Sequence, residues 1–195
     1  MTATETGRRL EVEVKLPAED LDSVRRRLEE AGARPVAPAH FESNDLYDRG
    51  EGDLARTGCA LRLRRTAHAA ILTFKGPPRF EEGIKKREER ETAVSDPEAV
   101  DRILAALGFD RTFRYEKRRE EWSFEACMIA LDETPIGNFV EIEGEPPAIR
   151  RTMQRLALDS SEAIPYSYAE LYRRRRRDDP SLTKDMVFRD PSRPN

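Results

Sequence analysis

Apolar and charged residues alternate along several short stretches of this chain, and a period of two is typical of β-strands. Residues 10–16 alternate in this way and end at Pro17, which predicts a strand with two chemically different faces. In residues 18–31 the apolar positions instead recur at helical spacing, and Gly32 follows them. The sequence therefore predicts a first strand followed by a helix that the glycine terminates.

Seven further segments have the pattern of strands, so eight strands are predicted in all. These segments are residues 41–47, 60–66, 69–75, 84–94, 113–121, 122–132 and 137–145. Further helices are expected at residues 95–107, 148–158 and 166–175. The connections between strands are too short for the crossovers of a parallel sheet. We expect an α+β fold that occupies one domain over residues 1–179, followed by a mobile tail over residues 180–195.

Charged side chains gather on one face of the predicted strands. In the first strand, Glu11, Glu13 and Lys15 share a face because side chains alternate. One such strand alone is best interpreted as part of a sheet with a wet outer face. The same arrangement recurs on later strands, in Arg62 and Arg64, Lys75, Arg87, Glu89 and Glu91, Lys117 and Arg119, Glu141 and Glu143, with Asp132 closing a mostly apolar strand. Acids and bases in blocks favour an interior that binds two kinds of partner.

The charges on these faces balance, because seven basic and seven acidic side chains contribute to them. The acidic groups are hard oxygen ligands, which favour Mg²⁺ or Mn²⁺ over Zn²⁺. Two such ions would add four positive charges, close to the charge of a triphosphate. Arg and Lys would then bind the phosphates while the ions stabilise charge on the transferring group.

Composition narrows the functional classes. The chain has 35 basic and 38 acidic residues, so its net charge of -3 lacks the basic excess of a general binder of nucleic acid or anionic lipid. Cys59 and Cys127 have no CxxC spacing and no apolar segment follows Met1, so a cytoplasmic protein is expected. The sequence lacks HExxH, GxxxxGK[ST] and GxSxG, which excludes zincin, P-loop and serine-hydrolase chemistry.

Several motifs in residues 10–172 occur in the order known from one family. The first is the ExExK pattern, formed by Glu11, Glu13 and Lys15. The others are Tyr47-Asp48, residues 60–64 (ALRLR), 72–76 (LTFKG), 87–91 (REERE), 116–119 (EKRR), 131–133 (LDE), 139–144 (FVEIEG) and Ser167-Tyr168. In these motifs the sequence resembles the CYTH superfamily of class IV adenylate cyclases and thiamine triphosphatases, also called triphosphate tunnel metalloenzymes.

The resemblance implies an eight-stranded antiparallel β-barrel that forms a tunnel, with flanking helices. It implies that the triphosphate is bound by Lys15, Arg62, Arg64, Lys75, Arg87, Lys117 and Arg119, and the divalent metal by Glu11, Glu13, Asp132, Glu141 and Glu143. Glu89, Glu91 and Lys15 are assigned to catalysis, the two glutamates as further ligands or water-positioning groups. A basic residue from the C-terminal region is also used by some family members, and here both Lys184 and the run Arg173 to Arg177 are candidates.

Two reactions are open within this family. Hydrolysis of a triphosphate by an activated water is favoured modestly over cyclisation of ATP to cyclic AMP and pyrophosphate, and both use the same residues. A third alternative is a non-catalytic polyphosphate or nucleotide-binding module, against which the full set of acidic residues argues. The expected partner is a triphosphate-containing small molecule rather than nucleic acid or membrane, a homodimer is left open, and the organic part of the substrate is not indicated.

Overall fold

Nine strands and five helices follow one another in the computed structural model, which describes residues 9–189. The strands are β1 (Arg9–Ala18), β2 (Arg34–Asp48), β3 (Ala60–Arg65), β4 (Ala70–Lys75), β5 (Arg79–Glu81), β6 (Ile84–Val94), β7 (Asp110–Phe124), β8 (Cys127–Thr134) and β9 (Gly137–Glu143). The helices are α1 (Leu21–Glu30), α2 (Asp53–Arg56), α3 (Pro97–Ala106), α4 (Pro146–Arg155) and α5 (Tyr168–Asp178). No helix in this part of the chain is long and apolar enough to cross a membrane.

Eight of the strands close into an antiparallel barrel. Their order is β1-β9-β8-β7-β2-β3-β4-β6, and pairing between β6 and β1 closes the ring. Within residues 9–189, the ninth strand, β5, pairs with β6 alone and lies outside the ring. The predicted α+β fold with an eight-stranded antiparallel barrel is therefore confirmed.

The apolar face of β1 points away from the barrel axis and lies beneath two helices. Val14 and Leu16 are buried in a cluster with Leu28 of α1 and with Ile149 and Met153 of α4. The charged residues on the opposite face of β1 are also buried. A sheet with a wet outer face is excluded by this arrangement, since the charged face is the one turned inward.

The largest differences from the sequence-based strand boundaries lie at two places. A break was predicted between Glu121 and Trp122, but β7 continues to Phe124 and β8 begins only at Cys127. The intervening Glu125 and Ala126 have φ angles of 48° and 62°, as in the tight turns that suit hairpins. Such turns usually carry Gly, Asn or Asp, so Glu-Ala gave no turn signal.

β2 is the second case, because it begins at Arg34 rather than near residue 41. Its first half contains Pro35 and Pro38, which cannot donate to a ladder. The pairing with β7 accordingly shifts register between Pro35 and Ala37 and again before His40. The short elements β5 and α2 were also not predicted.

An aromatic cluster lies where α5 meets the barrel. The inward-facing Phe113 and Tyr115 of β7 and Phe139 of β9 are packed against Tyr168 and Tyr172 of α5. Tyr168 and Phe139 meet edge to face, with ring centroids 5.3 Å apart. Helix α5 therefore covers this end of the barrel.

The segment after α5 adds to the barrel wall. Met186 is fully buried and forms a parallel bridge with Tyr115 of β7. Its carbonyl accepts a hydrogen bond from the Glu116 amide at 2.9 Å, and its amide donates to the Arg114 carbonyl at 2.9 Å. The domain boundary at residue 180 and the mobility of the tail stay predictions, and residues 190–195 lie outside the described part.

Candidate functional site

The barrel brings all fourteen sequence-predicted site residues to its interior face. Strand alternation turns them inward, and none of the fourteen is exposed. They come from seven of the eight barrel strands: Glu11, Glu13 and Lys15 of β1, Arg62 and Arg64 of β3, Lys75 of β4, Arg87, Glu89 and Glu91 of β6, Lys117 and Arg119 of β7, Asp132 of β8, and Glu141 and Glu143 of β9. The interior is thus a buried array of both charges.

Asp132 is the most heavily bonded carboxylate of the array. It is fully buried and accepts hydrogen bonds from Arg119 Nε at 2.7 Å and Arg119 Nη2 at 2.6 Å. Lys117 Nζ donates to it at 3.1 Å and the Tyr168 hydroxyl at 2.7 Å. Two cations and a phenol from α5 therefore fix this carboxylate.

Glu141 shares these cations from the neighbouring strand. Arg119 Nη2 donates to Glu141 as well as to Asp132, and Lys15 Nζ lies 3.3 Å from Glu141 Oε1. Burial alone would raise the pKa of Glu141, but the charges of Lys15, Arg119 and Lys117 outweigh it and hold the pKa well below its usual range. The carboxylate is consequently ionised in the absence of metal.

Lys15 connects the array to α5. Its ammonium donates to the Tyr166 carbonyl at 3.2 Å and lies 3.9 Å from the centroid of the Tyr168 ring. Lys117 Nζ lies 5.4 Å from the same ring centroid. These cation–π contacts place the phenol of Tyr168 between two of the predicted phosphate-binding lysines and Asp132.

A second acidic group lies where β1, β6 and β9 meet. Lys75 Nζ donates to Glu11 at 3.1 Å and also pairs with Glu89. Burial would raise the pKa of Glu89, but the charge of Lys75 lowers it. Lys85 of β6 makes the equivalent ion pair with Glu13.

Glu143 faces this second acidic group and pairs with Arg9, whose side chain is 62% exposed. Burial raises the pKa of Glu143 to about 7, and the nearby Glu11, Glu13 and Glu89 add to the rise against the opposing charge of Arg9. Four carboxylates that repel one another in a buried space are what a bound divalent cation would stabilise. The all-oxygen donor set fits Mg²⁺ or Mn²⁺.

No group of three acidic, His or Cys side chains within residues 9–189 is already arranged to hold a metal ion. The predicted ligands Glu11, Glu13, Asp132 and Glu141 are bound instead to Lys or Arg side chains. A metal ion would therefore have to exchange with these ammonium and guanidinium groups.

The third part of the array lies on β2, β3 and β4. Arg62 Nη2 donates to Thr73 Oγ1 at 3.3 Å and lies 3.6 Å from Glu91 Oε1. Arg64 Nη1 lies 3.5 Å from Oε1 of Glu42, a carboxylate that is 2% exposed. The contacts of both arginines, at 3.3–3.6 Å, are longer than those between Arg119 and Asp132.

Glu42 was not identified from the sequence. Burial would raise its pKa, but the field of Lys117, Arg119, Arg64 and Arg62 lowers the pKa to about 2. Lys85 was missed as well, although it shares the face of Arg87 on the same strand. These two residues add one charge of each sign, so the interior stays balanced.

Arg87 differs from the other predicted clamps. Its Nε and Nη2 donate to the Gly76 carbonyl at 2.9 and 2.6 Å, and Nη2 also donates to the Gly58 carbonyl at 3.1 Å. Burial lowers the pKa of this guanidinium. The side chain ties together the loops before β3 and after β4, and its role in substrate binding stays a prediction.

The candidate basic residues of the C-terminal region are not brought into the array. Arg173 and Arg176 donate to carbonyls of Ala169 and Leu182, and Arg174 lies over the ring of Tyr166. Instead, Tyr168 is the α5 side chain that reaches the interior. Its motif was present in the sequence, but nothing there indicated the contact with Asp132.

Comparison with known proteins places this barrel in a family. The model of the CYTH domain matches residues 9–171. Among solved structures, the PH1819 protein of Pyrococcus horikoshii is 27% identical with a TM-score of 0.72, and the match covers 85% of this chain and 99% of that one. An adenylate cyclase candidate from Vibrio parahaemolyticus is 20% identical with a TM-score of 0.73, covering 85% and 98% of the two chains.

A third solved structure has the same fold. HpAC1 from Hippeastrum, an adenylyl cyclase candidate described as having a dominant triphosphatase activity, is 20% identical. Its TM-score is 0.66, and the match covers 84% of this chain and 95% of that one. No curated protein matches the sequence significantly.

Proposed function

The chain belongs to the CYTH family, and we propose that it hydrolyses a triphosphate substrate with the help of a divalent metal ion. The observation that carries the proposal is the buried ring of alternating cations and carboxylates inside a closed barrel. Burying so many charges is costly unless ligands complete them. The triphosphatase activity described for the Hippeastrum protein supports this choice within the shared fold.

The basic residues are suited to binding the phosphates. Arg62 and Arg64 present guanidinium groups that can contact phosphate oxygens in pairs, whereas Lys15, Lys75 and Lys117 act as point charges. Lys15 and Lys117 now hold Glu141 and Asp132. They would turn to phosphate oxygens when those carboxylates take up metal.

The metal would be held by Glu11, Glu13, Asp132, Glu141 and Glu143, and Mg²⁺ or Mn²⁺ suits these oxygen donors. When bound, such an ion neutralises charge on the phosphoryl oxygens and favours ionisation of nearby water. Glu89 and Glu91 lie on the same inward face of β6 and would orient water beside the substrate. Arg119, which bridges Asp132 and Glu141 in the structure, would turn to a phosphate oxygen when these two carboxylates take up metal.

Cyclisation of ATP is the second candidate. It uses the same clamps and metal ligands, but the attacking group is the ribose hydroxyl and the product is pyrophosphate. The Vibrio parahaemolyticus protein, named as a cyclase candidate, shares the fold at a TM-score of 0.73. Binding of a polyphosphate without reaction is a third alternative. The cytoplasmic location, a homodimer and the absence of nucleic-acid or membrane partners stay predictions.

A product assay on the purified protein tests these alternatives. Tripolyphosphate, thiamine triphosphate and ATP would each be supplied with Mg²⁺ or Mn²⁺, and orthophosphate would be separated from pyrophosphate and cyclic AMP. We expect orthophosphate, no product in excess chelator, and a loss of orders of magnitude in turnover for Glu11→Gln or Glu141→Gln. Glu133→Gln is the matched control, because Glu133 is exposed and pairs with Arg118 outside the interior. Cyclic AMP, or activity that survives chelation, would contradict the proposal.

A further inference from the structure

Four buried polar atoms on β2 and β3 have no hydrogen-bond partner among residues 9–189. They are Nδ2 and Oδ1 of Asn44, Oε2 of Glu42 and Nε of Arg62. Glu42 Oε2 has a cation nearby, since Lys117 Nζ is 3.6 Å away. Asn44 differs from the other two residues because both ends of its amide are unpartnered.

Asn44 lies on the interior face of the barrel, on β2. It is 0% exposed and shares the inward face of β2 with Glu42. Across the ladders it pairs with Arg64 of β3 on one side and with Tyr115 of β7 on the other. Directly opposed side chains of neighbouring strands have Cβ atoms about 4.5–5.5 Å apart, so the amide lies beside the Arg64 side chain.

The fold itself does not explain this amide. A buried donor and a buried acceptor that make no hydrogen bond both reduce stability, and an apolar side chain of similar size would avoid the loss. Neither backbone nor side chains of residues 9–189 use the amide. A ligand in the interior is the partner that would satisfy it.

The surroundings restrict the chemistry of that ligand. Two cations of β3 lie near Asn44, Arg64 directly across the ladder and Arg62 two residues further along. They attract an anion, and the free Nδ2 can donate to one of its oxygens. Arg62 offers its unpartnered Nε to the same ligand from the neighbouring strand. The free Oδ1 in turn requires a donor, and a water molecule beside the anion supplies one.

We propose that Asn44 is a catalytic residue for hydrolysis: its Nδ2 donates to an oxygen of the terminal phosphoryl group, and its Oδ1 accepts from the attacking water. This inference rests on the proposed function. The water oxygen forms a bond to the terminal phosphorus, and the bond from that phosphorus to the bridging oxygen breaks. The bridging oxygen keeps the electron pair and leaves with the diphosphate, while one proton of the water is released to solvent and the other stays on the orthophosphate.

Two substitutions remove the amide in different ways. Asn44→Leu fills the site with an apolar side chain of similar size, whereas Asn44→Ala leaves space. Asn138→Leu is the matched control, because Asn138 lies on the outer face of β9 and donates to the Glu19 carbonyl. Each variant would be assayed for turnover of tripolyphosphate with Mn²⁺, for affinity towards tripolyphosphate by calorimetry, and for its melting temperature.

We expect Asn44→Leu to melt at or above the temperature of the unchanged protein, because it removes unsatisfied polar groups. Its kcat should fall by about 100-fold, as when one donor to a developing charge is removed. Its affinity for tripolyphosphate should fall by only about 3- to 10-fold, the value of one hydrogen bond. Asn44→Ala should show the same division between kcat and affinity, and Asn138→Leu should change neither.

A kcat within twofold of the unchanged protein for both Asn44 variants would overturn the proposal, whatever the affinity. If the unchanged protein turns over no triphosphate, the proposed function fails, and the phosphoryl contact of Asn44 is then judged by affinity alone. In that case a loss of about threefold supports the contact, and an affinity within twofold overturns it.

Discussion

Arg119 holds Asp132 through two parallel hydrogen bonds in the barrel interior, from Nε at 2.7 Å and Nη2 at 2.6 Å. This two-point contact is the geometry in which an arginine and a carboxylate bind most strongly. The same Nη2 also reaches Glu141 on the next strand. One cation thus orients two predicted metal ligands, and its release would free them together.

Loss of the carboxylate should therefore destabilise the empty protein. Asp132→Asn leaves Arg119 and Lys117 without their buried counter-charge, and breaking such a pair costs about 3–5 kcal/mol. Urea unfolding would measure this loss. Glu133→Gln, at an exposed ion pair one residue along β8, should change the free energy of unfolding by less than about 0.5 kcal/mol. A similar small change for both variants would mean that the array is not stabilised by this contact.

Two arginines of β3 and one lysine of β7 should determine the affinity for the anion. Arg62→Ala, Arg64→Ala and Lys117→Ala are each expected to weaken binding of tripolyphosphate, measured by calorimetry at fixed Mg²⁺. Replacing Arg62 or Arg64 by Lys should not restore the affinity where the guanidinium group contacts two phosphate oxygens. Affinities within twofold of the unchanged protein for all three alanine variants would speak against an interior binding site.

Arg87 should behave differently from these clamps. Because it bonds the carbonyls of Gly76 and Gly58, Arg87→Ala should lower the free energy of unfolding by about 1–3 kcal/mol for the unsatisfied groups. Arg87→Ala should reduce the affinity for tripolyphosphate less than Arg62→Ala does. Urea unfolding and calorimetry on the same samples check this, and the reverse order of effects would refute it.

The raised pKa of Glu143 predicts a specific pH dependence. Its pKa is about 7 in the folded protein and 4.5 ordinarily, so this group favours the folded state fully below pH 4.5. Its contribution is lost as the pH rises through about 7. Gln resembles the protonated acid, so Glu143→Gln should match the unchanged protein near pH 4 and be more stable than it at pH 8 without metal. A difference in stability that does not vary with pH would refute the assignment.

The sequence predicted much of this arrangement because strand alternation is local. One face of any strand formed here carries Glu11, Glu13 and Lys15. The apolar residues between them lie on the other face, which has to be buried against other elements. The charged interior followed from the repetition of that pattern. Glu42 escaped detection because Asp45 places a charge on the opposite face of the same strand, so β2 has no single charged side.

Long-range pairings could not be predicted in this way. Lys85 meets Glu13 only because β6 and β1 close the barrel. Tyr168 reaches Asp132 only because α5 covers the barrel end. The sequence of the helix does not indicate which residues of the barrel it packs against. Met186 likewise pairs with β7 from a short segment that lacks a strand pattern.

Thermal unfolding with and without ligands tests the central claim, that the interior binds a triphosphate together with a divalent cation. Four samples would contain no ligand, Mg²⁺, tripolyphosphate, or both. With both at about 100 times the dissociation constant we expect about 2.7 kcal/mol of stabilisation, or roughly 5–11 °C in melting temperature. Each ligand alone should give a smaller shift, because it leaves charges of one sign uncompensated. The account would be contradicted if the two ligands together gave no shift in melting temperature, or a shift no larger than that from either ligand alone.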